Sequence, residues 1–285
     1  MSDYLTGQKT ISMTFDSDIE VITSELQKIQ FTSSGQVLLN RPDKLLATRT
    51  GGYADVELVF DGKTATVLGK HLNAFAQADA PGSVDQLIDH LRDRYKVAMP
   101  GADLLLSRVY PELTAGVIDS KHIGQGVIDG IECDHLAFRT VDVDWQLWVE
   151  IGGRPIPRKY VITSKAVTDA PQYTLRIKDW KTDVQVAAVA FAFKPPADAG
   201  KVELRLMNFG ALSRGFGTCC LRFKTGVATT PARLASGWLA RLYREGVELF
   251  WIYPEGPEVP SDLPGAQAAK HEARRIAWTP EAKHK

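Results

Sequence analysis

The stretch that decides the fold reads Val143-Asp144-Trp145-Gln146-Leu147-Trp148-Val149-Glu150-Ile151. Its odd-numbered positions are all apolar, and three of its four even-numbered positions are polar. Successive side chains of a strand point to opposite faces, so this pattern predicts a strand with one buried and one solvated face. Shorter runs of the same alternation occur at residues 11–15, 55–61, 136–138 and 173–178.

Turn signals between these runs predict how the strands pair. Asp61-Gly62, Asp129-Gly130 and Gly152-Gly153 each separate two predicted strands. Such dipeptides tolerate the positive φ angles of type I′ turns, which connect antiparallel strands in tight hairpins. A parallel sheet needs a crossover connection, usually a helix, between successive strands, and the sequence shows no such helices. We therefore expect one antiparallel sheet of roughly eight to eleven strands, large enough to curl.

One stretch, residues 83–115, interrupts the strand pattern with helical signals. Ser83 is a suitable N-cap, and Val84, Leu87, Ile88 and Leu91 follow it at helical spacing. A second helical piece is expected between Pro100-Gly101 and residue 113. An amphipathic helix must bury its apolar side, and the open face of the sheet is the surface available for it.

Composition excludes several functional classes. The 285 residues are 44% hydrophobic and 24% charged with a net charge of zero, which is typical of a globular protein and gives no indication of nucleic-acid binding. No run of 18 apolar residues is present, so no transmembrane segment is predicted. Residues 205–285 carry a net charge of +5, whereas the preceding 204 residues carry −5, which indicates two different kinds of segment.

No catalytic residue, metal site or cofactor motif is predicted. Cys133 and His135 lie two apart on a predicted strand and so share a face. They suit a hydrolase nucleophile and base, half of a metal site, or simple packing in the sheet. We favour packing, because no second ligand pair is present and the neighbours Glu132 and Asp134 would not lower a thiol pKa. The acidic residues around Asp144 suit a cation site or a solvated strand face, and we favour the latter. The three cysteines, which include the adjacent Cys219 and Cys220, do not settle the compartment.

Several segments carry a resemblance to a known family, in order along residues 1–204. They are MSDYL (1–5), RPDKL (41–45), FDGKT (60–64), PGADLL (100–105), DGIECDHLAF (129–138), DWQLW (144–148) and PRKYVIT (157–163). These segments resemble a family of uncharacterised predicted periplasmic proteins, a domain of unknown function. That family is related to the lipoprotein-carrier superfamily, which includes a periplasmic lipoprotein chaperone and its outer-membrane receptor.

The resemblance implies a mainly β fold, a curved antiparallel open half-barrel whose concave face is covered by helices. It implies a periplasmic protein with a leader and a first helix before the strands, and we expect the leader to lie upstream of this chain. Residues 1–204 are then the carrier-like domain. Residues 205–285 have no counterpart in the family, and both a genuine domain and an unrelated basic extension fit them.

The apolar faces of different strands predict the candidate ligand contacts. A curved sheet would bring them together on its concave side, with residues from the helical excursion above them. The predicted binding residues are Phe15, Phe60, Leu104, Leu105, Phe138 and Trp145. We interpret the protein as a non-enzymatic periplasmic carrier for a lipid, lipoprotein or other apolar ligand. The alternative is a cell-envelope protein-interaction or sensing module with a fully packed core. The residues predict no oligomeric state.

Overall fold

The computed structural model describes residues 1–23, 26–52, 54–95, 97, 99–202, 204–206 and 221–223. About half of them form one open, curved sheet of twelve strands. In chain order the strands are β1 (Thr10–Ile22), β2 (Lys28–Asn40), β3 (Lys44–Gly51), β4 (Asp55–Phe60), β5 (Thr64–Gly69), β6 (Ala74–Asp79), β7 (Asp119–Ile128), β8 (Ile131–Arg139), β9 (Val143–Glu150), β10 (Pro157–Ser164), β11 (Gln172–Thr182) and β12 (Gly200–Val202). The predicted fold class is confirmed.

The strand order across the sheet is β12-β6-β5-β4-β3-β2-β1-β11-β10-β9-β8-β7. Strands β1 to β6 and β7 to β11 each form a meander of sequential antiparallel neighbours, and β1 joins the two meanders by pairing with β11. The expected all-antiparallel sheet of at most eleven strands was wrong in one detail. The short strand β12 pairs with β6 in parallel and is the twelfth strand.

Two of the three predicted tight hairpins differ from the prediction. Asp129 and Gly130 form a two-residue turn between β7 and β8 with φ angles of 50° and 81°, as a type I′ turn requires. After Asp61, by contrast, the turn has three residues, and the Asp61 side chain accepts hydrogen bonds from the amides of Lys63 and Thr64. Gly152-Gly153 lies in a wider connection, residues 151–156, because β10 begins only at residue 157.

The predicted helical excursion is confirmed. It contains α2 (Val84–Tyr95), a 3-10 turn (Ala102–Leu105) and α3 (Val109–Thr114), while α1 (Ser2–Thr6) precedes the first strand. Ser83 caps α2, because its hydroxyl accepts a hydrogen bond from the Gln86 amide at 3.3 Å and the Gln86 side chain accepts one from the Ser83 amide at 2.8 Å. We call α1, α2 and residues 99–114 the helical cover. No helix among the described residues is long and apolar enough to cross a bilayer.

The core lies between the helical cover and the concave face of the sheet. Alternate strand residues point to this face, and the apolar sides of the helices pack on them. The buried core residues that matter most below are Met13, Val37, Leu45, Leu58, Phe60, Leu87, Leu91, Leu105, Trp145 and Leu175.

The opposite face of the sheet near β6 is packed against the segment that connects β11 to β12. Phe75 points away from the face occupied by Ala74 and Ala76, and its ring centroid lies 5.1 Å from that of Phe193. Near its start the segment is attached through the Val184 amide, which donates to the Thr10 hydroxyl at 3.0 Å. Consecutive residues of β4, β5 and β6 are buried, so this part of the sheet is covered on both faces.

Most of the predicted C-terminal extension, residues 205–285, lies outside the described residues. Strands β13 (Leu204–Leu206) and β14 (Leu221–Phe223) pair with each other in antiparallel fashion. Strand β14 lies at the start of residues 221–230, a stretch whose sequence is compatible with one more strand. Residues 231–243, where the spacing of Leu234, Trp238 and Leu242 favours a helix, lie outside the described residues, as do Cys219 and Cys220.

Candidate functional site: the cavity under the helical cover

An apolar cavity of about 120 Å³ lies between the concave face and the helical cover. Strands β1 to β4 and β11 form its floor, and α2 with residues 99–105 forms its roof. Its walls consist of Met13, Phe15, Val37, Leu45, Ala47, Thr48, Arg49, Val56, Leu58, Leu87, Ile88, Leu91, Met99, Pro100, Ala102, Leu105, Tyr173 and Leu175. Nearly all of these side chains are apolar, so the cavity is suited to hydrocarbon.

The structure brings only part of the predicted binding set to the cavity. Phe15 and Leu105 line it on opposite sides, Phe15 from the sheet and Leu105 from the cover. Phe60 and Leu104 are buried in the surrounding core, with exposed fractions of 0% and 2%. Alternation therefore predicts the face on which a residue lies but not its distance from the cavity.

The two remaining predicted residues, Phe138 and Trp145, form a separate ring cluster. Their rings stack with centroids 3.8 Å apart, and Trp145 meets Tyr160 edge to face at 5.9 Å. The cluster lies on β8, β9 and β10, whose residues are not among those that line the cavity. Trp145 is 5% exposed, so the structure places it as a packing residue of the core.

Phe15 owes its position to the absence of a side chain on the neighbouring strand. It is paired in register with Gly35 on β2. A Cβ atom added to Gly35 would lie 2.5 Å from the Phe15 ring and 2.1 Å from the Thr48 carbonyl oxygen, so any other residue would displace both. Gly35 therefore allows the Phe15 ring to lie on the sheet at the cavity floor.

The polar group at one side of the cavity was missed by sequence reasoning. Arg49 lies on β3 and is only 6% exposed, and its Nε donates a hydrogen bond to the Ser33 hydroxyl at 2.9 Å. Ser33 shares a further hydrogen bond of 2.9 Å with the Ser17 hydroxyl. The available signal was the position of Arg49 two residues after the inward-facing Ala47, which places a charge on the apolar face.

A second arginine attaches the helical cover to the sheet. Arg41 lies in the turn between β2 and β3, and its guanidinium donates to the carbonyl oxygens of Leu105 at 2.6 Å and Leu106 at 3.3 Å. Its Nε donates to the Gln8 carbonyl at 3.1 Å. Burial lowers the pKa of Arg41. One charged side chain therefore holds both the roof of the cavity and the end of the first helical segment.

Ion pairs join the pieces of the cover to one another. Arg92 on α2 contacts Asp103 in the 3-10 turn and Glu112 on α3, the latter at 2.9 Å. Arg108 contacts Asp89 at 2.6 Å and Glu112 at 3.3 Å. Burial is the main cause that raises the pKa of Asp103, and Arg92 opposes it. These contacts favour movement of α2 and residues 99–114 as one unit.

Cys133 and His135 do not contact each other as a catalytic pair would. The Cys133 thiol is buried, and it donates a weak hydrogen bond to the Ile131 carbonyl at 3.5 Å. Burial raises the pKa of Cys133, which is opposite to the shift that a nucleophile requires. His135 stacks on Trp148 at 4.0 Å and hydrogen-bonds Gln146 at 2.9 Å. Both environments fit the packing interpretation.

Two acidic residues of β8 and β9, Asp134 and Asp144, have polar side-chain partners within the chain. Asp144 lies 2.8 Å from the Lys165 amine and 3.5 Å from the Arg139 guanidinium, and Asp134 lies 3.2 Å from His122. Among the described residues, no three His, Cys, Asp or Glu side chains come close enough together to hold a metal ion. The solvated-face interpretation fits these contacts.

Several solved structures are similar to this chain at low sequence identity. An uncharacterised conserved protein from Thermus thermophilus matches at 12% identity and a TM-score of 0.43, over 70% of this chain and 95% of that one. LprF from Mycobacterium bovis matches at 13% identity and a TM-score of 0.41, over 65% and 91% of the two chains. A LolA superfamily protein from Nitrosomonas europaea matches at 11% identity and a TM-score of 0.37, over 67% and 95%. No curated protein matches.

A family model covers most of the chain. It matches residues 1–205, the part that contains the whole twelve-stranded sheet and the helical cover. The family description agrees with the periplasmic location expected from the sequence. The chain therefore belongs to the family described as "Predicted periplasmic protein (DUF2092)".

Proposed function

We propose that residues 1–204 form a non-enzymatic periplasmic binding or carrier unit for a lipid, a lipoprotein or another apolar ligand. The observation that carries this proposal is the apolar cavity between the concave face and a helical cover. Burial of hydrocarbon there would supply affinity at roughly 25 cal/mol per Å² removed from water. Residues 205–285 are proposed as a separate extension.

The size of the cavity implies that the cover moves when a ligand binds. Pockets for small molecules usually measure about 300–1,000 Å³, whereas this cavity measures about 120 Å³. A long acyl chain therefore enters only if the roof lifts from the floor. The cover is attached to the turn between β2 and β3 by polar contacts, namely those of Arg41 and a 2.8 Å hydrogen bond from the Val84 amide to the Pro42 carbonyl. Such contacts can break and re-form without unfolding the sheet.

The direct test is native mass spectrometry of the full chain, expressed with export to the periplasm and purified without detergent. We expect a second mass peak that exceeds the apo mass by one acyl-bearing molecule, which organic extraction then identifies. An apolar groove that opens in the cell is expected to leave it occupied. A purely apo mass, together with failure to bind the neutral probe N-phenyl-1-naphthylamine, would overturn the proposal.

A cavity-filling substitution locates the binding site. Ala47 lines the floor of the cavity, so Ala47→Leu puts three further carbon atoms into the space that a ligand would occupy. We expect the affinity for N-phenyl-1-naphthylamine to fall about tenfold, measured by fluorescence titration.

The matched control is Ala137→Leu. Ala137 lies on β8 in register with Gln146, on the face opposite to Leu136 and Phe138, and it is not a cavity-lining residue. This variant is expected to bind the probe as the unmodified protein does. Equal affinity for all three proteins would place the ligand elsewhere.

The second candidate is an envelope protein-interaction or sensing module. The observation that favours it is again the small cavity, because a core this nearly filled needs no ligand. The module would contact its partner through the outer surface, where Trp148 stacks between His135 and the Lys159 amine, which lies 4.7 Å from its ring centroid. A protein that purifies empty and does not bind the apolar probe would support this candidate.

A further inference from the structure

Arg49 is the only charged side chain among the described residues that line the cavity. Its neighbours on the same wall are aromatic and aliphatic, including Phe15, Val56 and Tyr173. Burying a charge among apolar side chains costs free energy, whereas the charge of an ordinary surface arginine stays solvated. The carrier function proposed above does not by itself use this charge.

The Arg49 guanidinium is a cation at neutral pH and is held in one orientation. Burial lowers the pKa of Arg49 to about 10, and the electrostatic effect of Tyr173 opposes this shift. Because this value is still well above neutrality, the group remains protonated in the periplasm. The hydrogen bond from Nε to Ser33 at 2.9 Å, itself supported by Ser17, fixes one edge of the guanidinium plane.

On the neighbouring strand, the residue beside Arg49 has no side chain. Arg49 is paired in register with Gly35, the residue whose missing side chain admits the Phe15 ring. A cationic group, a flat aromatic ring and the aliphatic side chains of Leu58 and Leu175 therefore line one cavity. Guanidinium groups bind oxyanions through two parallel hydrogen bonds, and hydrocarbon binds to aliphatic walls by apolar burial.

We propose that the cavity selects single-chain amphiphiles with an oxyanion head group, and that Arg49 binds the head group while the apolar wall holds the chain. This inference rests on the proposed carrier function and adds the ligand class. Carboxylates and phosphate monoesters share the required chemistry. Neutral lipids of equal chain length would lack the contact with Arg49, and cationic amphiphiles would be repelled.

The test uses displacement of N-phenyl-1-naphthylamine from the full chain by four ligands below their micellar concentrations. These are dodecanoate, dodecyl phosphate, dodecanol and dodecyltrimethylammonium. We expect at least one of the two anions to bind about tenfold or more tightly than dodecanol, and the cation to bind more weakly than dodecanol. The better of the two anions shows whether the head group is a carboxylate or a phosphate.

Substitutions at Arg49 assign the preference to this residue. Methionine in Arg49→Met is an unbranched side chain without the charge. The ratio of anion affinity to dodecanol affinity should therefore fall to about one, while the probe still binds. Arg49→Lys keeps the charge without the two-pronged geometry and should retain part of the advantage. The control Arg108→Met removes a cation from the outside of the cover and should leave the ratio unchanged.

The outcomes separate this inference from the proposed function. If the unmodified protein binds the probe and dodecanol, but neither anion binds more tightly, the assignment of Arg49 is wrong and the carrier function stands. If neither the probe nor any dodecyl ligand binds, the carrier function itself fails. Should Arg49→Met lack the native circular dichroism spectrum, the ratio in the unmodified protein and in Arg49→Lys decides the question.

Discussion

Replacement of Trp145 by alanine is expected to lower the free energy of unfolding by about 3–5 kcal/mol, the usual cost of removing a large buried aromatic side chain. Trp145 is 5% exposed, stacks on Phe138 and meets Tyr160 edge to face. Its loss leaves a cavity beside the rings of Phe138 and Tyr160. Urea unfolding followed by far-ultraviolet circular dichroism measures the effect, and the midpoint should fall by at least about 1 M.

The same strand provides the matched control. Trp148 lies three residues further along β9 on the opposite face, where it stacks on His135 and contacts the Lys159 amine. These contacts are partly solvated and contribute about 1 kcal/mol, so Trp148→Ala should shift the midpoint only slightly. Equal losses for the two variants would contradict the assignment of the concave face as the core of this part of the sheet.

Replacement of Arg41 by methionine is expected to free the helical cover. The substitution removes three charge-assisted hydrogen bonds, to the carbonyl oxygens of Gln8, Leu105 and Leu106. Such bonds contribute about 1.5–3 kcal/mol each, and because the three share one side chain we expect a joint loss of about 3 kcal/mol. That loss raises the opening equilibrium of the cover about 100-fold. Hydrogen exchange of residues 84–114, followed by mass spectrometry, should accelerate accordingly.

Arg108→Met is the control for this effect. Arg108 joins α2 to α3 within the cover, and its side chain is 40% exposed. Ion pairs of this kind contribute about 0–1 kcal/mol, so exchange in the cover should rise less than about fivefold. Exchange in β1 and β2 should not change in either variant. If Arg41→Met left the exchange of residues 84–114 unaltered, Arg41 would not be what holds the cover closed.

The two largest effects concern different properties of the molecule. Trp145 acts on the global stability of the sheet, whereas Arg41 acts on a local equilibrium between the sheet and its cover. The carrier function proposed above requires this separation, because ligand exchange would have to open the cavity without unfolding the protein. Uptake of N-phenyl-1-naphthylamine should accordingly be faster in Arg41→Met and unchanged in rate for Trp148→Ala.

Much of the fold could be predicted because its signals are local. Alternation places Trp145 and Trp148 on opposite faces, and the Asp129-Gly130 dipeptide matches the positive φ angles of its turn. Ser83 marks the start of α2 with a capping box. The length of the connection between β9 and β10 was not predictable in the same way. Ile156 in that connection is buried at 1% exposure, so tertiary packing decides where β10 begins.

The candidate site could be predicted only in part. Phe15 and Leu105 line the cavity, whereas Phe60, Leu104, Phe138 and Trp145 belong to the packed core around it or beyond it. All six lie on the inward-facing side of a strand or of the helical cover, as the sequence pattern predicts. Which of them border the cavity, however, depends on the position of the cover over the sheet. Arg49 was missed because a charge in a strand is normally assigned to the solvated face.

The sequence by itself indicated eight of the twelve strands, three of their hairpin pairings, the helical insertion and the family, because alternation, turn residues and caps act within a few residues of chain. Only the tertiary structure decided the rest. The parallel pairing of β12 with β6, the contacts of Arg41 with residues 64 and 65 positions away, and the burial of Arg49 over Gly35 all join distant parts of the chain. Such contacts leave no periodic trace in the sequence, since each depends on how the whole sheet curves beneath its cover.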